Sequence, residues 1–174
     1  MITYSFPSLY DGLALNASYT PGGIGFGGAS SSTSWSATYT GVEGLTVAYG
    51  TGEDNTTAVE ATADAWKVSY AYGPVTVTAT DLEYDHGTDT SDRDMESQAI
   101  SYTISDELSI TYGVEEITDG SASSEKAEFE SISASYVSGG MTLTVSSQEA
   151  KNHSYSTTAT EDNERWAISA AFAF

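Results

Sequence analysis

The sequence predicts an all-β protein: an antiparallel meander of about eleven strands that forms a transmembrane β-barrel, as one domain over residues 1–174. Apolar residues recur at every second position in short segments, which is the period of a strand with one apolar face. The segments repeat every 31 to 34 residues, and equivalent positions are filled by Ile2, Trp35, Trp66, Ile100, Ile132 and Trp166. Mean hydropathy is only −0.25, which excludes the run of roughly 18 apolar residues of a membrane helix but not alternating membrane strands.

Each repeat is predicted to hold two strands joined by a short turn and followed by a longer loop. The predicted strands are 2–8, 12–20, 32–40, 44–52, 63–72, 75–84, 97–104, 108–117, 127–137, 141–149 and 165–174. The short turns carry Gly, Pro, Asp or Ser, which suit chain reversal, at 9–12, 41–44, 73–74, 105–107 and 138–140. The polar loops are 21–31, 53–62, 85–95, 118–126 and 151–164. Short turns at one end and long loops at the other are typical of bacterial outer-membrane barrels.

The polar face of the predicted strands is mostly Ser, Thr, Ala and Gly, with Lys67 as the one clear mid-strand charge. A soluble sandwich would instead cover its outer face with charged side chains. Small neutral groups favour a crowded or water-filled interior. The predicted pore-lining residues are Ser36, Thr38, Thr46, Lys67, Ser69, Thr76, Thr78, Ser101, Thr103, Ser109, Thr111, Ser133, Ser135, Thr142, Thr144, Arg165 and Ser169.

Aromatic side chains lie on the other face, many of them near strand ends, where an amphipathic ring fits the headgroup level of a bilayer. The alternative interpretation is ordinary strand tyrosine on a half-buried sheet. The predicted lipid-facing or girdle residues are Tyr4, Phe6, Tyr19, Trp35, Tyr39, Tyr49, Trp66, Tyr70, Tyr72, Tyr102, Tyr112, Tyr136, Trp166 and Phe172.

Acidic residues dominate the charge: 25 Asp and Glu against 5 Lys and Arg, a net charge of −20. This excludes a nucleic-acid partner, which needs basic side chains, and favours attraction of cations. Most acids fall in or beside the long loops, where a bilayer would not oppose them. The alternation slips at Asp81–Tyr84 and Glu128–Glu130, which we interpret as strand extension above the membrane or as bulges.

Rival chemical motifs are weak. The loop from Asp85 to Asp94 gathers carboxylates that could bind Ca²⁺ or Mg²⁺, but its spacing is not that of an EF-hand, and a solvated acidic loop is favoured. Divalent cations held loosely there could bridge to lipopolysaccharide phosphates; no other cofactor is expected. The Gly-rich segment 21–28 lacks a phosphate-loop ending. His86 and His153 lie in loops without a marked nucleophile, so no enzyme is predicted.

The strand count is odd, and Met1 begins directly in a strand without a signal peptide. Single-chain bacterial barrels have even counts, and an open sheet edge cannot face lipid. We therefore expect strands to be missing at the N-terminal side.

The chain resembles the C-terminal part of a Gram-negative general porin of the alphaproteobacterial type. The resemblance rests on Gly12–Tyr19, Gly44–Gly50 and Ala170–Phe174, and only the last of these is specific. It implies a sixteen-stranded barrel, usually a homotrimer in the bacterial outer membrane, that passes small hydrophilic solutes. Phe174 would then be the signal read by the outer-membrane assembly machinery, and the inward-folding loop would lie at or just before Met1. The basic ladder often found on such pore walls is reduced here to Lys67 and Arg165.

Two alternatives stay open. The chain could be a secreted acidic β-repeat, an adhesin or surface-layer module without channel activity, which would remain soluble without detergent. It could also be a complete small barrel of ten strands with one strand miscounted. The channel hypothesis adds that the acidic loops form a vestibule favouring cations.

Overall fold

The computed structural model describes residues 1–7, 9–22, 31–55, 60–87, 92–120, 125–153, 155 and 162–173. Within them the chain forms one antiparallel sheet in which each strand pairs with the next along the sequence. The strands are β1 (Ile2–Ser5), β2 (Leu13–Thr20), β3 (Ser31–Tyr39), β4 (Leu45–Asn55), β5 (Glu60–Tyr72), β6 (Val75–Asp85), β7 (Arg93–Thr103), β8 (Leu108–Asp119), β9 (Ala127–Ser138), β10 (Met141–Lys151) and β11 (Asn163–Phe172). No helix in this part of the chain is long and apolar enough to cross a membrane.

The predicted all-β meander of eleven strands is confirmed, and the alternative of ten strands with one miscounted is wrong. Several strands run further toward the long loops than predicted: β4 continues to Asn55, and β7 begins at Arg93 instead of residue 97. The ladder continues there because it satisfies backbone N–H and C=O groups that would otherwise need water. β1 ends early, at Ser5, and the Phe6 N–H continues the ladder by donating to the Leu15 carbonyl at 3.0 Å. β11 is shifted by two residues against the prediction, and Phe174 lies outside the described residues.

The two places where the alternation slips are strand extensions. β6 and β7 stay in register from Val75 opposite Tyr102 to Tyr84 opposite Arg93. β9 and β10 likewise stay paired without interruption as far as Glu128 opposite Lys151. An inserted residue would break such a register, so the bulge interpretation is wrong at both places.

The turn between β9 and β10 shows why the short turns can be so tight. Gly139 and Gly140 have φ of 57° and 80°, and Ser138 pairs directly with Met141. Two central residues with positive φ make the hairpin turn whose twist matches that of the flanking strands. The connections at this end of the sheet have two to seven residues and those at the other end four to eleven, because β4 and β5 extend through most of the predicted loop 53–62.

The sheet is curved, with its polar face on the inside. In β7 the side chains of Ser97, Ala99 and Ser101 are half-buried, whereas Ile100 and Tyr102 on the other face are exposed. Among the described residues only Ala61 and Ala127 are buried apolar side chains. No hydrophobic core lies between packed layers in this part of the chain, so the apolar face depends on what surrounds it.

The sheet is open in the described residues, because β1 and β11 form its two edges and each pairs with a single neighbour. Since β1 and β11 are both odd-numbered strands of a meander, they run in the same direction. Direct closure of β1 on β11 would therefore give a parallel pair in an otherwise antiparallel sheet.

Candidate functional site

The polar, concave face of the sheet is the candidate site, and the strand register assembles it. Thr46 stands opposite Ser69, Ser101 opposite Thr111, and Thr144 opposite Ser135 and Ser169. Directly opposed residues share a face, so each pair belongs to the same surface. Every residue predicted to line a pore lies on this face: Ser36, Thr38, Thr46, Lys67, Ser69, Thr76, Thr78, Ser101, Thr103, Ser109, Thr111, Ser133, Ser135, Thr142, Thr144, Arg165 and Ser169.

Hydroxyl pairs bridge neighbouring strands on this face. The oxygens of Ser101 and Thr111 are 2.8 Å apart, and those of Ser135 and Thr144 are 3.2 Å apart. Further hydroxyl pairs are Ser18 with Ser34 and Thr78 with Ser69, and the Ser5 hydroxyl donates to Asn16 Oδ1. A hydroxyl keeps a second lone pair after such a bond, so the wall can still exchange hydrogen bonds with water.

Small residues leave room above the wall. Gly50 and Gly52 stand opposite Ser36 and Ser34, and a hollow of about 470 Å³ lies over them. A second hollow of about 540 Å³ lies between β7 and β11 and includes Glu115, Gln148 and Arg165 in its lining. The surface is therefore concave, wettable and free of bulky side chains over much of its area.

Charges on the polar face are few and balanced. In the described strands this face carries three acids, Asp54, Glu115 and Asp119, and three bases, Lys67, Arg93 and Arg165. The prediction that the basic wall residues are only Lys67 and Arg165 is wrong, because Arg93 also lies there. Sequence reasoning missed it by starting the strand at residue 97; counting back in twos from Ser101 leads to Arg93.

The predicted aromatic residues all lie on the other, apolar side. The register of β1 to β11 assigns the strand residues to this face, and Phe6 continues it beside Leu15. All of them but the half-buried Tyr39 are exposed, Trp35 by 50%, Trp66 by 42% and Trp166 by 67%. The residues are Tyr4, Phe6, Tyr19, Trp35, Tyr39, Tyr49, Trp66, Tyr70, Tyr72, Tyr102, Tyr112, Tyr136, Trp166 and Phe172.

Polar tips of these rings bond to carboxylates at two levels. At the short-turn end the Tyr136 hydroxyl donates to Glu107 at 3.4 Å. At the long-loop side the Trp166 indole N–H donates to Glu164 at 2.9 Å. Rings with one wet end and one apolar end suit the two interfaces of a membrane.

An acidic belt follows above the aromatic residues on the same face. In register across four strands stand Asp81, Glu96, Glu116 and Glu128. The strand acids on this face are Glu53, Glu60, Asp64, Asp81, Glu83, Asp85, Asp94, Glu96, Glu116, Glu128, Glu130, Glu149 and Glu164. The acidic excess of the described strands therefore lies at the long-loop end of the outward face, not on the polar wall.

Two lysines pair with this belt. Lys126 Nζ lies 2.9 Å from Glu116, and Lys151 Nζ lies 3.4 Å from Glu149. The hydrogen bond from each lysine to its glutamate raises the pKa of that lysine above its ordinary value. Both stay protonated at neutral pH and offset a small part of the negative charge.

The rival sites gain no support in the described residues. No group of three or more His, Cys, Asp or Glu there could hold a metal ion, and residues 88–91 of the acidic loop lie outside them, as do residues 23–28 of the Gly-rich segment. The His86 ring stacks on Tyr84 at 5.9 Å. His153 Nδ1 lies 3.4 Å from Asn163 Nδ2. The two histidines thus contact residues of different strands, β6 and β11.

Neither a protein-family model nor a curated protein sequence matches this chain. Among solved structures, in-vitro folded OmpT, an outer membrane protein of Vibrio cholerae, is similar over 98% of this chain and 62% of that chain, with 15% identity and a TM-score of 0.68. A KdgM porin is similar over 99% of this chain and 89% of that chain, with 13% identity and a TM-score of 0.53. The chain thus spans less than two thirds of the length of the first.

At these identities the likeness establishes the fold alone. The fold is that of outer-membrane β-barrel proteins, which confirms the predicted fold class and agrees with the predicted outer-membrane localisation. The alphaproteobacterial type, the C-terminal position within a longer barrel and the sixteen-strand count stay predictions.

Proposed function

We propose that this chain forms part of the wall of a water-filled channel in the bacterial outer membrane. Small hydrophilic solutes diffuse passively through this channel. The observation that carries the proposal is the separation of the two faces: hydroxyls line the concave side, and exposed aromatic rings cover the convex side. Each such ring carries on the order of 150–250 Å² of largely apolar surface, which is unfavourable in water and favourable in lipid. A concave surface of hydroxyl groups is favourable in water, where the hydroxyls keep their hydrogen bonds, and unfavourable in lipid.

The channel favours cations. The wall charges of the described strands balance, so the preference comes from the acidic belt and the net charge of −20. A negative rim raises the local concentration of cations at the mouth. This effect weakens as salt shortens the screening length.

The barrel closes through further strands between β11 and β1. Since these edges run in the same direction, an odd number of added strands keeps every pair antiparallel, and about five would give the sixteen of a general porin. The assembly is a homotrimer surrounded by lipid and lipopolysaccharide, inserted by assembly machinery that reads Phe174. Divalent cations bridge the acidic belt to lipopolysaccharide phosphates without a dedicated site. Catalysis forms no part of the proposal.

Planar lipid bilayers test the proposal. Protein extracted from outer membranes and added to a bilayer should produce stepwise increases in conductance. Under a salt gradient, the reversal potential should have the sign expected for a channel that passes cations more readily than anions. The cation preference should fall when the salt concentration rises on both sides. Conductance with anion preference would overturn the electrostatic part, and folded protein without conductance would overturn the channel.

An immunoblot tests closure and the trimer together. In unheated outer membranes the account expects a heat-sensitive oligomer, and in boiled samples a band near twice the 18.3 kDa of this chain. A single band near 18 kDa that is unmoved by heating and found in the soluble fraction would instead favour the secreted acidic β-repeat. The exposed tryptophans count against that alternative, since a face of this kind aggregates in water.

A further inference from the structure

Tyr155 lies against a strand that is not its neighbour. It follows β10 in the chain, yet its ring centroid is 5.5 Å from the guanidinium carbon of Arg93 at the start of β7. β8 and β9 lie between these elements, so at about 4.8 Å per strand the contact crosses roughly 14 Å of sheet, a span shared by the two side chains and the residues that follow β10. The contact occurs on the polar face, because Arg93 pairs with Tyr84 and Asp119 in the same register as Ser101 with Thr111.

Burial under this crossing gives a second, independent observation. Ala127 of β9 has no exposed surface, and on the polar face of the described strands only Ala61 is also buried, at 8%. The Asp119 side chain of β8 is only 16% exposed. Both residues are on the polar face of the strands that separate β10 from β7, which are the strands that the contact between Tyr155 and Arg93 spans.

The backbone at the crossing is held in an unusual conformation. Asn152 and Tyr155 have φ of 50° and 54°, and the Tyr155 N–H donates to the Asn152 carbonyl at 2.8 Å. Positive φ is common for Asn but rare for a bulky aromatic residue. Such strain persists only where the surroundings fix it, and here the surroundings include the contact with Arg93.

Arg93 is a fixed anchor for this contact. Its Nη1 lies 3.1 Å from Asp119 Oδ1 and donates to the Asp92 carbonyl at 2.8 Å. The guanidinium therefore keeps one orientation and offers its face to the ring. Asp119 already offsets the charge of Arg93. The contact between Tyr155 and Arg93 therefore affects the width of the mouth more than the electric potential there.

We propose that Tyr155 and Arg93 form a constriction at the long-loop mouth of the channel and set the size of solute that enters. This inference rests on the proposed channel function and names the residues that determine its size selectivity. A cation–π contact at a partly exposed site shifts the ratio of docked to undocked Tyr155 by roughly two- to fivefold. The constriction is therefore weak enough to open thermally.

Liposome swelling in sugars of increasing size tests the constriction. Tyr155→Ala should raise the rate for a trisaccharide relative to a monosaccharide above the wild-type ratio, with an unchanged reversal potential. Tyr155→Phe should behave like wild type, because the ring face is kept. The matched control is Tyr72→Ala, which removes a tyrosine that is 76% exposed on the apolar face.

The variant Arg93→Gln tests whether Arg93 is the residue that holds Tyr155. In an Arg93→Gln background, Tyr155→Ala should add nothing further, since the contact is already lost. A heat-modifiable band on gels verifies that every variant is folded. Wild-type swelling with an unchanged sugar ratio in Tyr155→Ala would overturn this inference alone, whereas folded wild type that passes no sugar would overturn the proposed function and the inference with it.

Discussion

At the residue scale, the molecule is organised by the direction of single side chains. Neighbours in sequence lie on opposite faces: Ser133 belongs to the hydroxyl wall, and Ala134 stands between Ile110 and Val145 on the apolar face. Glycine serves a different purpose, because it permits close approach at the turns. Gly44 and Gly73 both have positive φ, at 75° and 56°. A Cβ on Gly44 would meet the Ala71 carbonyl oxygen, whereas a Cβ on Gly73 would meet nothing within 4 Å.

This difference predicts unequal effects of the same substitution. Gly73→Ala should cost only the left-handed backbone penalty, about 1–2 kcal/mol. Gly44→Ala should cost clearly more, because the new methyl group also displaces the neighbouring strand. Urea unfolding of the detergent-refolded protein, followed by tryptophan fluorescence, measures both. Equal losses in the two variants would contradict the turn geometry.

At the element scale, the number of strands and the faces of their central parts follow from the period-two pattern, which each short segment carries by itself. The strand ends do not follow from it, because segments such as Glu60–Thr62 and Arg93–Glu96 lie in or beside the predicted polar loops but continue the ladder. Arg93 was therefore missing from the predicted wall. The contact of Tyr155 could not be predicted either, since it depends on a crossing of two strands that no local pattern encodes.

The two faces of β8 should respond in opposite ways to a new charge. Ile110→Lys places an ammonium group on the lipid side and should cost about 2–4 kcal/mol if Ile110 lies near mid-depth. Ser109→Lys, one residue away on the polar face, should be tolerated and should lower the cation preference. Folding into lipid vesicles measures the first effect and the reversal potential the second. Tolerance of Ile110→Lys would mean that the apolar face does not contact lipid.

At the scale of the whole molecule, repulsion between negative charges opposes the compact state. A net charge of −20 concentrated at the long-loop end repels itself. Glu60 shows the effect, since a hydrogen bond shared with Glu53 raises the pKa of Glu60 above its ordinary value of 4.5. The charge also keeps the rim negative, which is what the proposed cation preference needs.

Stability should therefore rise on mild acidification. Because the pKa of Glu60 is raised on folding, the folded state binds a proton at Glu60 more readily than the unfolded state does. The contribution of Glu60 to the free energy of unfolding is therefore least favourable at neutral pH. It improves as the pH falls through the raised pKa toward about 4.5. Thermal unfolding in detergent at pH 7 and near pH 5 measures this. Glu53→Gln should reduce the gain, while Glu43→Gln at the short-turn end should leave it unchanged.

The central claim is that the polar face lines water and the apolar face does not. The chain has no cysteine, so one introduced thiol can be modified alone while single-channel conductance is recorded. Ser133→Cys and Ala134→Cys are neighbouring, nearly isosteric changes on opposite faces. A charged, membrane-impermeant thiol reagent should lower the conductance of Ser133→Cys and leave Ala134→Cys unchanged. Block of Ala134→Cys with no effect on Ser133→Cys would contradict the account.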